Sequence, residues 1–88
     1  MAKEKVTKVI DGDTFITSRR KKPVRLANVD TPEKGQKGYG AAKAKLQKLI
    51  HGEEVRINTV ARDKYGRAVA NVKVGPKSVN KAMKKHQK

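Results

Sequence analysis

The amino-acid sequence predicts a mainly β, α+β fold that is compatible with a five-stranded Greek-key barrel. Five short segments are predicted to form strands, because two are runs of β-branched or aromatic residues and three alternate apolar and polar residues. Two further segments repeat their apolar residues with the period of a helix. The predicted order is β-β-β-α-β-β-α. At 88 residues the chain is expected to form a single domain, residues 1–88, with a small core and with fraying at residues 1–4 and 85–88.

The first three predicted strands lie in the N-terminal part of the chain. Residues 6–10 and 15–17 are rich in β-branched and aromatic side chains. The DGD between them is typical of a tight turn, so we expect the two segments to pair as an antiparallel hairpin. The basic turn SRRKKP at residues 18–23 then leads into a third alternating segment at residues 24–29.

A loop and a helix follow the third strand. The stretch DTPEKGQKGYG contains one Pro and three Gly and is expected to be the long loop of the domain. Within residues 41–50 the apolar side chains recur at positions i, i+4, i+7 and i+8. This spacing predicts a helix whose apolar face lies against the sheet and whose C-terminal end is at Gly52.

A second hairpin and a short helix complete the predicted fold. Residues 55–59 and 67–74 alternate with a period of two on either side of the turn ARDKYG. Further on, Val79, Met83 and His86 recur at helical spacing, which predicts a short C-terminal helix.

The charge of the sequence favours a polyanionic partner. Lys and Arg number 23 against 8 Asp and Glu, so the net charge is +15. Basic residues displace counterions from a phosphate backbone, which makes nucleic acid the leading candidate. A solvated basic surface that serves only solubility is the alternative. A membrane is disfavoured because the sequence has a single Phe and no Trp to anchor it, and the absence of Cys excludes thiol chemistry.

The scarce acidic residues are concentrated in two turns. Asp11, Asp13, Asp30 and Glu33 lie where neighbouring strands are predicted to end. Such oxygen donors suit a hard cation such as Ca²⁺, with Asp13, Asp30 and the carbonyl of Thr31 as candidate ligands. The alternative is structural, because Asp in DGDT and in DTPE also forms ordinary turns by binding nearby backbone N–H groups.

A cation beside arginines is suited to the cleavage of phosphodiester bonds. The cation polarises the phosphate, a guanidinium group binds its oxygens in a bidentate manner, and a carboxylate positions or deprotonates the attacking water. Arg25 begins the segment RLANVDTPE and Arg67 begins the last predicted strand, so these two are the candidate phosphate ligands.

Four segments of the sequence resemble the staphylococcal nuclease family. They are VIDGDT at 9–14, RLANVDTPE at 25–33, YG at 39–40 and DKYGR at 63–67, and VNKAM follows them. The resemblance implies an OB-fold barrel and a Ca²⁺-dependent endonuclease that cuts DNA and RNA with little sequence preference and leaves 3′-phosphate ends. It implies a nucleic-acid substrate and no membrane, and we expect a monomer. Many members of the family are secreted, but the N-terminus here has no export signal, so the location is left open.

The same resemblance implies roles for individual residues around the ion. Asp13, Asp30 and the carbonyl of Thr31 resemble the Ca²⁺ ligands, and Asp11 resembles an acid that lies near the ion without binding it. Arg25 and Arg67 resemble the phosphate-clamping pair. Glu33 resembles the glutamate described as the general base, or else as the group that orders water on the metal.

Other residues resemble contacts to the nucleic acid. Lys64 and Tyr65 match the pair that contacts a phosphate of the bound nucleotide, although packing is an alternative role for Tyr65. Arg19 and Arg20 in the basic turn are candidate contacts to the phosphate backbone, and a solvated hairpin tip is the alternative there. For Tyr39, packing is the favoured role.

The sequence also departs from the family pattern. The loop after Glu33 is shorter than in the best-known members, and the sequence ends where the family continues with a tyrosine-bearing segment and a third helix. We therefore expect reduced activity and stability. Two alternatives to a nuclease remain: an OB-fold module that binds nucleic acid without cleaving it, and a minimal version of the fold that retains the site residues but is partly disordered.

Overall fold

The structure is a computed structural model that describes residues 3–87. Its elements in chain order are β1 (Lys3–Asp11), β2 (Thr14–Thr17), β3 (Val24–Leu26), α1 (Tyr39–Ile50), β4 (Glu54–Arg62), β5 (Ala68–Val74), β6 (Lys77–Ser78), α2 (Val79–Met83) and a 3₁₀ turn at Lys84–His86.

The strands form one sheet that closes on itself. The order is β3-β2-β1-β4-β5-β6, and these neighbours pair antiparallel. A parallel pairing between β3 and β5 joins the two sides of the sheet, so that five strands form a ring. Closure leaves these strands without open edges. The predicted five-stranded barrel of the OB type is thus confirmed, with the two-residue β6 added beside β5.

The core fills the ring and the space beneath α1 and α2. It consists of inward-facing residues of the strands, one residue of the turn after β3 and the apolar faces of the two helices: Val6, Val9, Phe15, Val24, Leu26, Val29, Ala42, Leu46, Ile50, Val55, Ile57, Ala70, Val72, Val79 and Met83. All are small or aliphatic except Phe15, which is fully buried. This lean core agrees with the composition of the sequence.

Helix α1 packs its apolar face on the sheet as predicted. Ala42, Leu46 and Ile50 are buried within the core. Gly52, just past the end of the helix, has a φ of 77°, a left-handed conformation that suits glycine and ends the helix there. The helix begins at Tyr39 rather than at residue 41, because the left-handed Gly38 provides its N-terminal boundary.

Asn80 connects α2 to the barrel. Its side-chain amide donates hydrogen bonds to the carbonyl oxygens of Ala27 and Ala70, each at 3.0 Å, and its Oδ1 accepts one from Val72 N–H at 2.8 Å. Asn80 is buried, so these bonds satisfy backbone groups that water does not reach. The turn after β3, which leads to Asp30, is thereby tied to β5 and α2.

Several predicted strand boundaries were wrong. Strand β3 ends at Leu26 rather than at residue 29, because Asn28 adopts a φ of 59° that breaks the extended conformation. Strand β1 starts at Lys3, where it pairs with β4, and β4 continues to Arg62 through its pairing with β5. The last long strand begins at Ala68 rather than at residue 67. Exposed residues extend these strands, and alternation does not detect them.

We expected residues 1–4 and 85–88 to fray. Among the described residues, Lys3 and Glu4 lie in β1, and Lys85 lies in the 3₁₀ turn. Residues 1, 2 and 88 lie outside the described residues. Among the helices of residues 3–87, none has the length and apolar character needed to cross a membrane.

Candidate active site

Two turns of the barrel bring Asp13, Arg25 and Asp30 together. Asp13 lies between β1 and β2, Arg25 lies in β3, and Asp30 follows the turn after β3. Nη2 of Arg25 is 3.3 Å from Oδ2 of Asp13 and 3.5 Å from Oδ1 of Asp30. Nη1 of the same guanidinium group donates to the carbonyl of Leu26 at 3.2 Å. Arg25 therefore offsets the repulsion between two carboxylates that the fold places side by side.

The two carboxylates differ in their exposure. The Asp13 side chain is 11% exposed, and its Oδ1 accepts a hydrogen bond from the Thr14 hydroxyl at 2.9 Å. The Asp30 side chain is 60% exposed, while its backbone N–H donates to Oε1 of Gln87 at 3.3 Å. The pair thus has one anchored member and one that faces solvent, where a ligand could reach it.

Thr31 fixes the second turn against the first. Its backbone N–H donates to Oδ2 of Asp13 at 3.4 Å. Its buried Oγ1 has no hydrogen-bond partner among residues 3–87. A Cβ added at Gly12 would lie 2.8 Å from this hydroxyl oxygen and 2.7 Å from Cβ of Ala42, so only glycine fits between the two turns and α1.

This donor set fits a hard cation. Asp13 and Asp30 supply carboxylate oxygens, and Thr31 supplies a buried hydroxyl oxygen that has no hydrogen-bond partner within residues 3–87. Within residues 3–87 no three His, Asp or Glu side chains cluster tightly enough to hold a metal by themselves. A Ca²⁺ ion here would therefore take its remaining ligands from backbone carbonyls, such as that of Thr31, and from water.

The Asp11 carboxylate lies near the hydroxyl group of Tyr39, the first residue of α1. Partial burial of the Tyr39 hydroxyl, together with the neighbouring Asp11 carboxylate, raises the pKa of Tyr39. The hydroxyl donates to the carbonyl of Ile10 at 3.1 Å. Tyr39 therefore ties α1 to the end of β1, in keeping with its predicted packing role.

Glu33 lies in the exposed loop between β3 and α1. Its backbone N–H donates to Oε1 of Gln36 at 2.8 Å, and its carbonyl accepts from the Gln36 N–H at 2.9 Å. These bonds form a compact turn around an exposed side chain. Within the described chain, the Glu33 carboxylate makes no hydrogen bond or ion pair, so it is free to accept one from a ligand or water.

Arg67 is held by Asp63, which sequence reasoning did not place in the site. Oδ1 of Asp63 accepts from the backbone N–H groups of Tyr65 and Arg67, each at 2.9 Å, and Oδ2 accepts from Nε of Arg67. Partial burial opposes ionisation of Asp63, but the hydrogen bonds from Arg67 and Tyr65 outweigh it and lower the pKa of Asp63. The terminal nitrogens of Arg67 make no hydrogen bond within residues 3–87, so a ligand could bind them.

Lys64 and Tyr65 lie at the exposed tip of the β4–β5 turn. Nζ of Lys64 is 5.2 Å, and the guanidinium carbon of Arg67 5.6 Å, from the centre of the Tyr65 ring. The ring is 67% exposed, so it packs on cations and not in the core. This exposure argues against the packing alternative for Tyr65.

The parallel pairing of β3 with β5 relates the two arginines. Arg25 is aligned with Val69, and Arg67 comes two residues before Val69. Arg67 and Val69 are half-buried while Ala68 and Ala70 are buried, so Arg67 lies on the outer face that carries Arg25. The fold thus brings both candidate phosphate ligands to one face of the barrel.

Arg20 pairs with Glu4, away from the contact between Arg25 and its two carboxylates. Its Nε and Nη2 bind both carboxylate oxygens of Glu4 at 2.8–3.1 Å, and the Thr17 hydroxyl donates to the same carboxylate at 2.8 Å. Arg19 is exposed beside this pair. A separation of 16 residues between Glu4 and Arg20 gave no sequence signal for the contact.

Comparison with known proteins relates the chain to nucleases. A model of the family described as staphylococcal nuclease homologue matches residues 23–86. An uncharacterized endonuclease of Escherichia coli O157:H7 is 39% identical over 71 residues, which cover 77% of this chain and 46% of the relative. The micrococcal nuclease of Shigella flexneri is 36% identical over 69 residues, or 76% of this chain and 40% of the relative. The thermonuclease of Staphylococcus intermedius is 36% identical over 85 residues, or 85% and 51%. The chain spans about half the length of these curated relatives.

Proposed function

We propose that this chain, which belongs to the staphylococcal nuclease homologue family, is an endonuclease that hydrolyses phosphodiester bonds of DNA and RNA. In this proposal the reaction requires Ca²⁺, has low sequence preference and leaves 3′-phosphate ends. The observation that carries it is the contact of one Arg25 nitrogen with the carboxylates of both Asp13 and Asp30. A guanidinium group can bind a phosphate, and a pair of carboxylates can bind a cation. Here the two kinds of group lie at one point.

Asp13, Asp30 and the Thr31 carbonyl would hold the Ca²⁺ ion, which when bound supplies positive charge that polarises the phosphate. Arg25 and Arg67 donate hydrogen bonds to the phosphate oxygens as negative charge grows on them. Arg67 is suited to this because Asp63 occupies only its Nε, which leaves its outer fork for bidentate binding.

Glu33 acts on the water in this proposal. Its carboxylate is exposed and unpaired within the described chain, and it lies two residues beyond Thr31. From there it accepts a hydrogen bond from the attacking water and orients it, or takes its proton. Lys64 and Tyr65 bind the neighbouring nucleotide through charge and through the exposed ring.

A nuclease assay with a chelator control tests the proposal. Supercoiled plasmid and single-stranded RNA are incubated with the full chain in Ca²⁺ or in excess chelator, and the 3′ ends of the products are tested for extension by a polymerase before and after phosphatase treatment. We expect cleavage only with Ca²⁺ and extension only after phosphatase. Cleavage that persists in chelator would remove the metal from the mechanism.

Two substitutions assign the residues. We expect Arg67→Ala and Glu33→Gln each to lower the rate by about a hundredfold or more, the scale seen when a group that stabilises the transition state is removed. Arg56→Ala and Glu54→Gln, at exposed positions of β4, are the charge-matched controls and should retain the wild-type rate. Near wild-type turnover in both site variants would exclude these roles.

A rise in melting temperature with Ca²⁺ that Asp13→Asn and Asp30→Asn abolish would support the assigned ligands independently of activity.

A second candidate is a module that binds nucleic acid without cleaving it. The lack of a three-carboxylate cluster within residues 3–87 favours it. It predicts tight, salt-sensitive binding with the nucleic acid still intact after long incubation in Ca²⁺.

A further inference from the structure

A basic cleft lies between the β2–β3 turn and the β4–β5 turn. It has a volume of about 280 Å³ and is lined by Arg20, Lys21, Lys22, Arg62 and Ala68. The two turns approach each other closely where Gly66 meets Lys22. A Cβ added at Gly66 would lie only 2.5 Å from Nζ of Lys22. Four positively charged side chains thus surround one small space on the surface.

The acidic residues next to this cleft are already paired. Glu4 binds Arg20 through both of its oxygens, and Asp63 binds Arg67. Within residues 3–87, Lys21, Lys22 and Arg62 form no ion pair, and Arg62 donates only to the carbonyl of Gly66, at 3.3 Å. The cleft therefore holds a local excess of positive charge that an anion would neutralise.

The cleft adjoins the candidate active site. Ala68, which lines the cleft, directly follows Arg67. Gly66, which lies against Lys22, belongs to the turn that carries Lys64 and Tyr65. Ala68 also pairs with Val24 of β3, the residue before Arg25. A strand of nucleic acid bound at the arginines could thus continue into the cleft with its next phosphates.

We propose that this cleft binds the phosphate backbone of a polynucleotide beyond the phosphate held by Arg25 and Arg67, through Lys21, Lys22 and Arg62. Arg20 also lines the cleft, but it is paired with Glu4 and is given no phosphate contact in this proposal. The proposal deepens the proposed function and rests on it for the location of the reacting phosphate. It assigns to the chain a preference for polymers over short nucleotides.

Binding measurements on a charge-reduced variant test the proposal. Lys21→Gln, Lys22→Gln and Arg62→Gln are combined in the full chain, and the affinity for a labelled single-stranded oligonucleotide of about 12 nucleotides is measured in chelator. The salt concentration is varied between about 50 and 200 mM. We expect binding at low salt to weaken about tenfold and the salt slope to become shallower by about 0.7 for each phosphate lost. Affinity for a dinucleotide and for inorganic phosphate should stay unchanged.

A second groove provides the matched control. It also has a volume of about 280 Å³, lies between α1 and α2, and is lined by Lys45, Lys77, Lys81 and Lys85 together with Ser78 and Ala82. Lys77→Gln, Lys81→Gln and Lys85→Gln remove the same charge. The proposal holds if the cleft variant loses far more affinity for the oligonucleotide than this control does. Equal losses, or no loss in the cleft variant, would overturn it, as would a parallel loss for inorganic phosphate or the dinucleotide.

These measurements distinguish a failure of the cleft proposal from a failure of the nuclease proposal. Binding in chelator does not need turnover, and a melting curve of each variant confirms that it is folded. If the wild-type chain fails to cleave nucleic acid but the cleft variant alone loses polymer binding, the nuclease proposal fails and the cleft remains. If the chain cleaves but the two variants bind alike, only the cleft proposal fails.

Discussion

At the scale of single residues, Asp63 determines where Arg67 points. It binds two backbone N–H groups with one oxygen and the Nε of Arg67 with the other. The lowered pKa of Asp63 keeps the carboxylate charged at neutral pH, so the guanidinium group has a fixed anionic partner. Asp63 acts through Arg67 and is therefore a positioning residue.

Replacement of Asp63 should reveal this role. Asp63→Asn keeps an oxygen for the backbone N–H groups but loses the charge that holds the guanidinium group. We expect the turnover number to fall about ten- to a hundredfold, because a displaced transition-state ligand has an effect of this size. The substrate concentration at half-maximal rate should change little. Steady-state kinetics beside Glu53→Gln as the charge-matched control would measure this, and an unchanged turnover number would contradict it.

The sequence predicted the proximity of candidate residues better than it predicted their partners. Arg25, Asp13, Asp30 and Thr31 lie close together because short turns between neighbouring strands bring their ends together. Their roles in a site stay predictions. Asp63 belongs to the same turn as Arg67 but was interpreted only as a turn residue. The contact of Glu4 with Arg20 depends on the exact path of the basic turn, which local patterns do not specify.

At the scale of elements, the approach of α1 to the β1–β2 turn is closest at Gly12. The glycine leaves room for Ala42 of the helix and for Thr31 of the second turn. A side chain there would separate the three segments that carry Asp13, Thr31 and the start of α1.

A pair of glycine substitutions tests this contact. Gly12→Ala should lower the free energy of unfolding by about 1–3 kcal/mol, the usual cost of overpacking. Gly40→Ala is the control, since a Cβ at this position in α1 meets nothing within 4 Å, and it should raise stability by up to about 1 kcal/mol. Urea denaturation of both variants measures the difference. A Gly12→Ala protein as stable as the wild type would show that the helix can shift without cost.

The ion pair between β1 and the basic turn should make stability depend on pH. The hydrogen bond from Arg20 lowers the pKa of Glu4 below its ordinary value of 4.5, against the opposing effect of burial and with help from Thr17. A group whose pKa is lowered by folding stabilises the fold fully above its unfolded pKa and loses this effect as the pH falls through the folded value.

We therefore expect Glu4→Gln to be less stable than the wild type by about 1 kcal/mol near neutral pH, since the pair is partly solvent-screened. The difference should shrink as the pH falls below 4.5. Urea denaturation over this pH range measures it, with Glu53→Gln as the control. A difference that stayed constant into strong acid would contradict the assignment of the effect to this carboxylate.

The sequence patterns predicted the existence of the strands and helices well, but they predicted the ends of these elements less well. The two hairpins and both helices are present because each buries an apolar face, which periodicity detects. The end of β3 depends on the left-handed Asn28, and the extension of β4 to Arg62 depends on backbone pairing with β5 through exposed residues. These are tertiary effects that override local preference.

At the scale of the whole molecule, the net charge of +15 must be accommodated by a small fold. Four ion pairs connect basic and acidic side chains within the described residues, so most of the positive charge is uncompensated. Self-repulsion of this kind destabilises a compact state.

Added salt should therefore stabilise the protein. We expect the melting temperature to rise by a few degrees between about 50 and 500 mM NaCl, because the screening length shortens over this range. The Lys77→Gln, Lys81→Gln, Lys85→Gln protein should show a smaller rise. Calorimetry in NaCl and in sodium acetate, which differ in their anion, would separate screening from the binding of a particular anion, and a fall in melting temperature would contradict the expectation.

The parallel pairing of β3 with β5 also has a consequence for biosynthesis. The carboxylates and Arg25 are made early, but β3 gains its second neighbour only when β5 has been translated, after α1 and β4. Non-local pairing of this kind forms late in folding. In a nascent chain that extends only through β4, the strand that carries Arg25 can pair with β2 alone, and Arg67 is absent. The candidate site that contains both arginines is thus not assembled until nearly the whole barrel has been synthesised.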